Sequence, residues 1–191
     1  MVLSETQLVE AVARDRAAGR TVAFANGCFD LLHVGHIRYL QASAAEADRL
    51  LVAVNDDESV AGLKGEGRPI LPAAERAELV AALRCVDYVV VFADANVERL
   101  LRLVKPDVHC KGTDYTADTV PERAVVAEYG GRTAIVGDPK SHATRELLAR
   151  IAASSHDAPR TSHDAPRTPH DAPGTPHDAP RTPHPAPEEP E

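Results

Sequence analysis

The sequence has no surplus of positive charge, no long apolar run and no cysteine framework. Across 191 residues, 21 Lys and Arg stand against 29 Asp and Glu, a formal net charge of −8. No basic stripe is left to neutralise a phosphate backbone, so nucleic acid is not expected as a partner. No apolar stretch approaches the roughly 20 residues needed to span a bilayer, and no membrane association is expected. The N-terminal stretch from Met1 to Arg20 is an amphipathic helix pattern carrying Glu5, Glu10 and Asp15, the wrong character for a signal peptide. The three cysteines, Cys28, Cys85 and Cys110, are odd in number and form no CxxC pair. These absences together predict a cytoplasmic protein.

Beyond residue 154 the chain also lacks anything to bury. From Ser155 it repeats every seven residues, SHDAPRT, SHDAPRT, PHDAPGT, PHDAPRT and PHPAPEEPE, with no Leu, Ile, Val or aromatic side chain. A heptad invites a coiled-coil reading, but there is no apolar a/d seam and proline breaks helices. The expectation is one domain over residues 1–153 and an extended, disordered tail over residues 154–191. The evenly spaced tail histidines (His156, His163, His170, His177 and His184) follow from repeat expansion alone.

Residues 1–153 alternate between helical and strand patterns. Ser4 and Gln7 form a capping box and Gly19 closes the first helix. Strands are expected at Thr21 to Ala25, Leu50 to Asn55, Tyr88 to Phe92, Val108 to Lys111 and Thr133 to Val136. Helices are expected at Val34 to Ala47, Pro72 to Leu83 with Pro72 at N1, Asn96 to Val104, Pro121 to Tyr129 and Ala143 to Ala153. The segment from Leu63 to Pro69 reads as a glycine-rich loop. Strands that are nearly continuous Val, Ile and Leu belong to a sheet covered on both faces. The expected fold is therefore α/β, a Rossmann-like doubly wound parallel sheet of about five strands, with ligands at the strands' carboxyl ends.

The most informative segment runs from Asn26 to His36, between the first sheet strand and the next helix. Gly35 permits close backbone approach, and a helix start offers unpaired N–H groups and a positive dipole end. His33 and His36, three residues apart, can face one anion from that turn. Such a site suits a triphosphate attacked at its α-phosphorus while pyrophosphate leaves, with positioned donors stabilising the developing charge.

GCFDLLHVGHIRYL resembles the signature of the HxGH cytidylyltransferase-like superfamily. Downstream, VNDDESVAGLKGEGRPILPAAERAELVAAL, VDYVVVF, VKPDVHCKGTDY and EYGGRTAIV are similar, in order, to the adenylyltransferase module of ADP-heptose synthases. The KPD and KG.DY elements mark that branch. The resemblance implies transfer of AMP from ATP, with Mg²⁺, to the sugar 1-phosphate D-glycero-β-D-manno-heptose 1-phosphate, giving ADP-heptose and pyrophosphate. Bifunctional relatives carry a sugar kinase domain ahead of this module. Too few residues precede Thr21 for one here, so a stand-alone transferase, acting as a homodimer, is expected.

By the same resemblance His33, His36 and Lys64 are the catalytic residues. Gly27, Cys28, Phe29, Asp30, Gly35, Lys111, Gly112, Asp114 and Thr144 join His36 in binding the nucleotide. Asn55, Asp57, Arg68, Arg76 and Tyr115 face the second substrate. Several have a plainer reading: Asp30 as a helix cap, Lys64 as a solvated lysine, Arg76 as a partner of Glu75 or Glu78, and Asn55 and Asp57 as turn caps. The pattern departs at Ser141-His142-Ala143-Thr144-Arg145, where relatives carry a Ser-Thr-Thr run. Only Thr144 carries over directly, so base choice is open at this position. Two alternatives stand: a cytidylyltransferase acting on a polyol phosphate such as glycerol 3-phosphate, and a non-catalytic nucleotide-binding scaffold.

Overall fold

The structure, a computed structural model, describes residues 1–139 and 144–156. The expected disordered tail from residue 157 on, and the altered positions Ser141 and Ala143, lie outside the described residues.

In chain order the elements are α1 (Glu5–Ala17), β1 (Val22–Gly27), α2 (Val34–Ala44), β2 (Arg49–Asn55), α3 (Asp57–Lys64), α4 (Ala73–Ala81), β3 (Tyr88–Phe92), α5 (Glu98–Val104), β4 (Val108–Gly112), α6 (Arg123–Glu128), β5 (Arg132–Val136) and α7 (Thr144–His156). The five strands form one parallel sheet in the order β3-β2-β1-β4-β5. The expected doubly wound sheet is present.

Both faces of the sheet are dry, which is why the strands read as unbroken apolar runs. Along β1 and β2 successive side chains alternate between two cores. Val22, Phe24, Leu51 and Ala53 pack with Leu8 and Val12 of α1, Leu100, Leu101 and Val104 of α5, and Val125 and Val126 of α6. Ala23, Ala25, Leu50, Val52 and Val54 face the other way, onto Leu40 of α2 and Ala77 and Val80 of α4. Each fully buried Leu or Val contributes about 1.5–3 kcal/mol relative to exposure. The chain leaves β1 through α2 toward β2, whereas β4 lies on the other side of β1. That reversal opens a crevice at the carboxyl end of β1.

Local signals set the first helix. Ser4 and Gln7 make the reciprocal capping box, and Gly19, at φ 73°, follows the C-cap. The sequence reading needs correcting at α3. Residues 57–64 form a helix rather than the approach to a loop, because the Asp56 side chain caps it by accepting from the Ser59 amide at 2.8 Å. Its single buried residue, Val60, gives no apolar period to detect, and Gly62 lowers helix propensity. Pro72 is the N-cap of α4 rather than its first helical residue. Asn96 stands outside α5, its Oδ1 accepting from the Glu98 amide at 3.1 Å. The last helix runs past Ala153 into the first repeat.

Candidate active site

A cleft of about 1010 Å³ opens at the carboxyl ends of the strands, between the start of α2, the end of α3 and the start of α7. Its floor is the end of β1 and the loop that follows. Phe29 and Leu31 in that loop take left-handed φ values of 50° and 54°, each costing on the order of 1–3 kcal/mol for a side chain of that size. The surroundings hold the loop in this shape. Arg76 donates to the Cys28 carbonyl, and Thr144 Oγ1 donates to the Asp30 carbonyl at 3.2 Å.

His33 is the N-cap of α2 and His36 its third residue. Their rings stack with centroids 3.8 Å apart, and the Phe29 ring meets His36 edge-on at 5.5 Å. The His33 amide points at His36 Nδ1, 3.4 Å away. Nδ1 is therefore the acceptor, and the proton of the neutral ring sits on Nε2. Burial, then the charges of His33 and Lys64, push the His36 pKa down to about 4. At neutral pH His36 is an uncharged Nε2–H donor beside a helix N-terminus. Gly35 lies between the two histidines and lines the cleft.

Asp30 does not cap the helix. Its carboxylate, 3 % exposed, accepts from the Ile70 and Leu71 amides at 3.0 and 3.1 Å and pairs with Arg68 at 2.7 Å. It ties the β1–α2 loop to the segment entering α4. Arg68 lines the cleft from this pair, and its Nε is buried without a hydrogen-bond partner. Lys64, exposed, ends α3 at the cleft, and Gly65 follows at φ 91°. Asn55 ends β2, buried, with Nδ2 3.4 Å from Ser59 Oγ. Gly27, Cys28, Lys111, Gly112, Asp114, Tyr115 and Thr144 also line the cleft.

Two expected substrate contacts are not in the cleft wall. Arg76 is wholly buried and donates to the carbonyls of Leu71 and Cys28 and to Asp57 Oδ1. Neither Arg76 nor Asp57 lines the cleft; they brace it from behind, and the plainer pairing of Arg76 with Glu75 or Glu78 is absent as well. The side chain of Arg145 lies outside the described residues.

The sequence reading missed Asn26, His109 and Glu122. These meet Lys111 where β1 and β4 adjoin, with Lys111 Nζ 3.0 Å from Glu122 Oε1 and 3.2 Å from Asn26 Oδ1. The available signal was Asn26 and His109, polar side chains within otherwise apolar strands; Glu122, at the N-cap of α6, gave none. Among the described residues no helix is long and apolar enough to cross a membrane.

The cytidylyltransferase-like family profile matches residues 24–160. The chain belongs to the cytidylyltransferase-like family of nucleotidyltransferases. It is 46 % identical over 150 residues to the bifunctional protein HldE of Ectopseudomonas mendocina, covering 78 % of this chain and 32 % of that protein. It is 45 % identical over 140 residues to HldE of Geobacter sulfurreducens, covering 73 % of this chain and 29 % of the relative. The chain thus spans about a third of the length of these relatives. Among solved structures, the lipopolysaccharide core biosynthesis protein of Thermoplasma volcanium superposes with a TM-score of 0.57 at 27 % identity, covering 64 % of this chain and all of that one. Membership of the family fits a cleft whose one helix N-terminus carries both histidines.

Proposed function

We propose that this nucleotidyltransferase moves the AMP part of ATP onto a sugar 1-phosphate, D-glycero-β-D-manno-heptose 1-phosphate, releasing pyrophosphate. The observation that carries the reading is the stacked His33–His36 pair at the start of α2, with the cations Lys64 and Arg68 on the same cleft. A phosphate oxygen of the sugar 1-phosphate attacks the α-phosphorus of ATP. One P–O bond forms there, and the bond to the bridging oxygen breaks as pyrophosphate departs with the electron pair. His36 Nε2–H and the first amides of α2 donate to the oxygens on which charge grows. Lys64, at the end of a short helix followed by Gly65, clamps the phosphates. The buried, unsatisfied Nε of Arg68 offers a donor to the incoming sugar phosphate.

Mg²⁺ belongs to this proposal as a companion of the triphosphate, since it favours phosphate oxygens and water over protein cages. Among the described residues no group of three or more His, Cys, Asp or Glu gathers to hold a metal, and the Asp30 carboxylate is already engaged. Mg²⁺ would offset phosphate charge. The choice of ATP and heptose rests on the resemblance of the KPD and KG.DY elements to ADP-heptose synthases. A homodimer in the cytoplasm completes the proposal.

Pyrophosphate release, with ATP, CTP, GTP and UTP each tested against a panel of sugar 1-phosphates and polyol phosphates, is the test. The highest kcat/KM is expected for ATP with the heptose 1-phosphate. A preference for CTP with glycerol 3-phosphate would overturn the adenylyl assignment, and no turnover with any pair would leave a binding scaffold. Light scattering on the purified chain checks the dimer.

A further inference from the structure

Lys111 lines the cleft along with Arg38, Lys64 and Arg68, yet its charge is already answered. Pairing of Ala25 with Cys110 brings the end of β1 beside the end of β4, so Asn26 and Lys111 meet. Lys111 Nζ donates to Asn26 Oδ1 at 3.2 Å and to Glu122 Oε1 at 3.0 Å, with the Tyr115 ring centroid 5.4 Å away. Lys111 and Glu122 are each 7 % exposed. Glu122 is the N-cap of α6, but its side chain makes no cap and turns to the lysine instead. Its second oxygen, Oε2, is buried without a hydrogen-bond partner.

His109 completes the group from beneath. It is fully buried, and its Nε2 lies 3.2 Å from the same Asn26 Oδ1. An amide oxygen only accepts, so the His109 proton sits on Nε2. With two donors on Oδ1, the Asn26 amide cannot flip without turning its NH₂ against an ammonium. An ammonium has three N–H groups. Two of Lys111's are spent, which leaves one for a ligand.

We propose that Glu122 is the fixed counter-ion of Lys111 and that, with Asn26 and His109 as positioning residues, it makes Lys111 a charge-compensated donor to the nucleoside rather than a phosphate clamp. This deepens, and rests on, the nucleotidyltransferase reading above. The cleft has two cationic ends with different electrostatics. The Lys64 charge acts at His36, beside the α2 N-terminus where phosphates are best held. The Lys111 charge acts at His109, on the other side of β1. A nucleotide lying across the strand-order reversal with its phosphates on α2 presents its nucleoside to the β4 end. There an uncompensated cation would draw any polyphosphate, whatever it was attached to, whereas a lysine neutralised by a buried carboxylate keeps a directional N–H without that pull.

Calorimetric binding of ATP and of inorganic tripolyphosphate, which has the phosphates and no nucleoside, separates the two roles. Three full-length proteins are compared: wild type, Glu122→Gln, and the double variant Lys111→Met/Glu122→Gln, which strands no buried charge. Wild type should prefer ATP. Glu122→Gln should bind tripolyphosphate about tenfold more tightly and lose much of its preference for ATP, a gain that mere structural damage would not produce. The double variant should lose about tenfold in ATP affinity, the scale of one charge-assisted hydrogen bond, and bind tripolyphosphate as wild type does. If Glu122→Gln fails to fold, the double variant decides alone. Equal losses for both ligands in the double variant would make Lys111 a phosphate clamp or the pair structural, and would overturn the proposal. Wild type that binds ATP with this pattern but releases no pyrophosphate would sink the proposed reaction and leave the Lys111 assignment standing.

Discussion

Arg76, buried completely in α4, donates through Nη2 to Asp57 Oδ1 at 2.7 Å, on the helix that ends in Lys64. The same guanidinium holds the carbonyls of Cys28 and Leu71. One side chain therefore fixes the β1–α2 loop, the entry to α4 and the start of α3 relative to one another.

Arg76→Met should consequently damage the whole site from a distance. Breaking a buried ion pair from one side costs about 3–5 kcal/mol, here reduced because Asp57 is half exposed and can turn to water. A lowered Tm together with reduced kcat is expected. Raised KM for the sugar phosphate at unchanged Tm would instead make Arg76 a direct substrate contact.

His36→Ala removes the neutral donor at the α2 N-terminus. A fall in kcat of about 10²–10³ is expected, the usual effect of deleting one transition-state donor, with KM for ATP less altered. Steady-state kinetics checks this, and a variant retaining most of its turnover would remove His36 from the chemistry.

Stability should begin to fall on mild acidification, from about pH 6.5 downward. His36 and His109 are pushed by burial to about 4 and about 3, below the 6.5 of an exposed imidazole. The unfolded chain thus binds protons that the folded one refuses, and stability is lost as pH drops from 6.5 toward those values. Urea midpoints measured from pH 7 to 4.5 should decline, and His109→Leu should flatten the slope. An unchanged slope in that variant would mean that His109 takes up its proton without unfolding.

Lys64→Ala should lower kcat/KM and leave Tm almost untouched. The lysine is exposed at the end of an eight-residue helix whose one buried side chain is Val60, so little of the core depends on it. A variant that melts early but turns over normally would make Lys64 structural.

Much of this molecule is local and could be read along the chain. Ser4 and Gln7, three apart, had to meet on one helical turn, as did His33 and His36. The apolar strands announced a sheet covered on both faces, because a strand with one wet face would alternate. What the sequence alone did not determine are the partners of its buried charges. Asp30 reads as a nucleotide contact or, more plainly, a helix cap, and its carboxylate is held by Arg68, Ile70 and Leu71, some forty residues on. Arg76 reads as a sugar-phosphate contact or, more plainly, a partner of Glu75 or Glu78, and is a strut to Cys28, 48 residues back. Glu122, at the N-cap of α6, has no local feature that pairs it with Lys111, which it meets at 3.0 Å. A backbone pattern follows from neighbours within a turn or a pleat, whereas a buried charge is satisfied by whatever the packed chain brings within 3 Å, and only tertiary structure decides that.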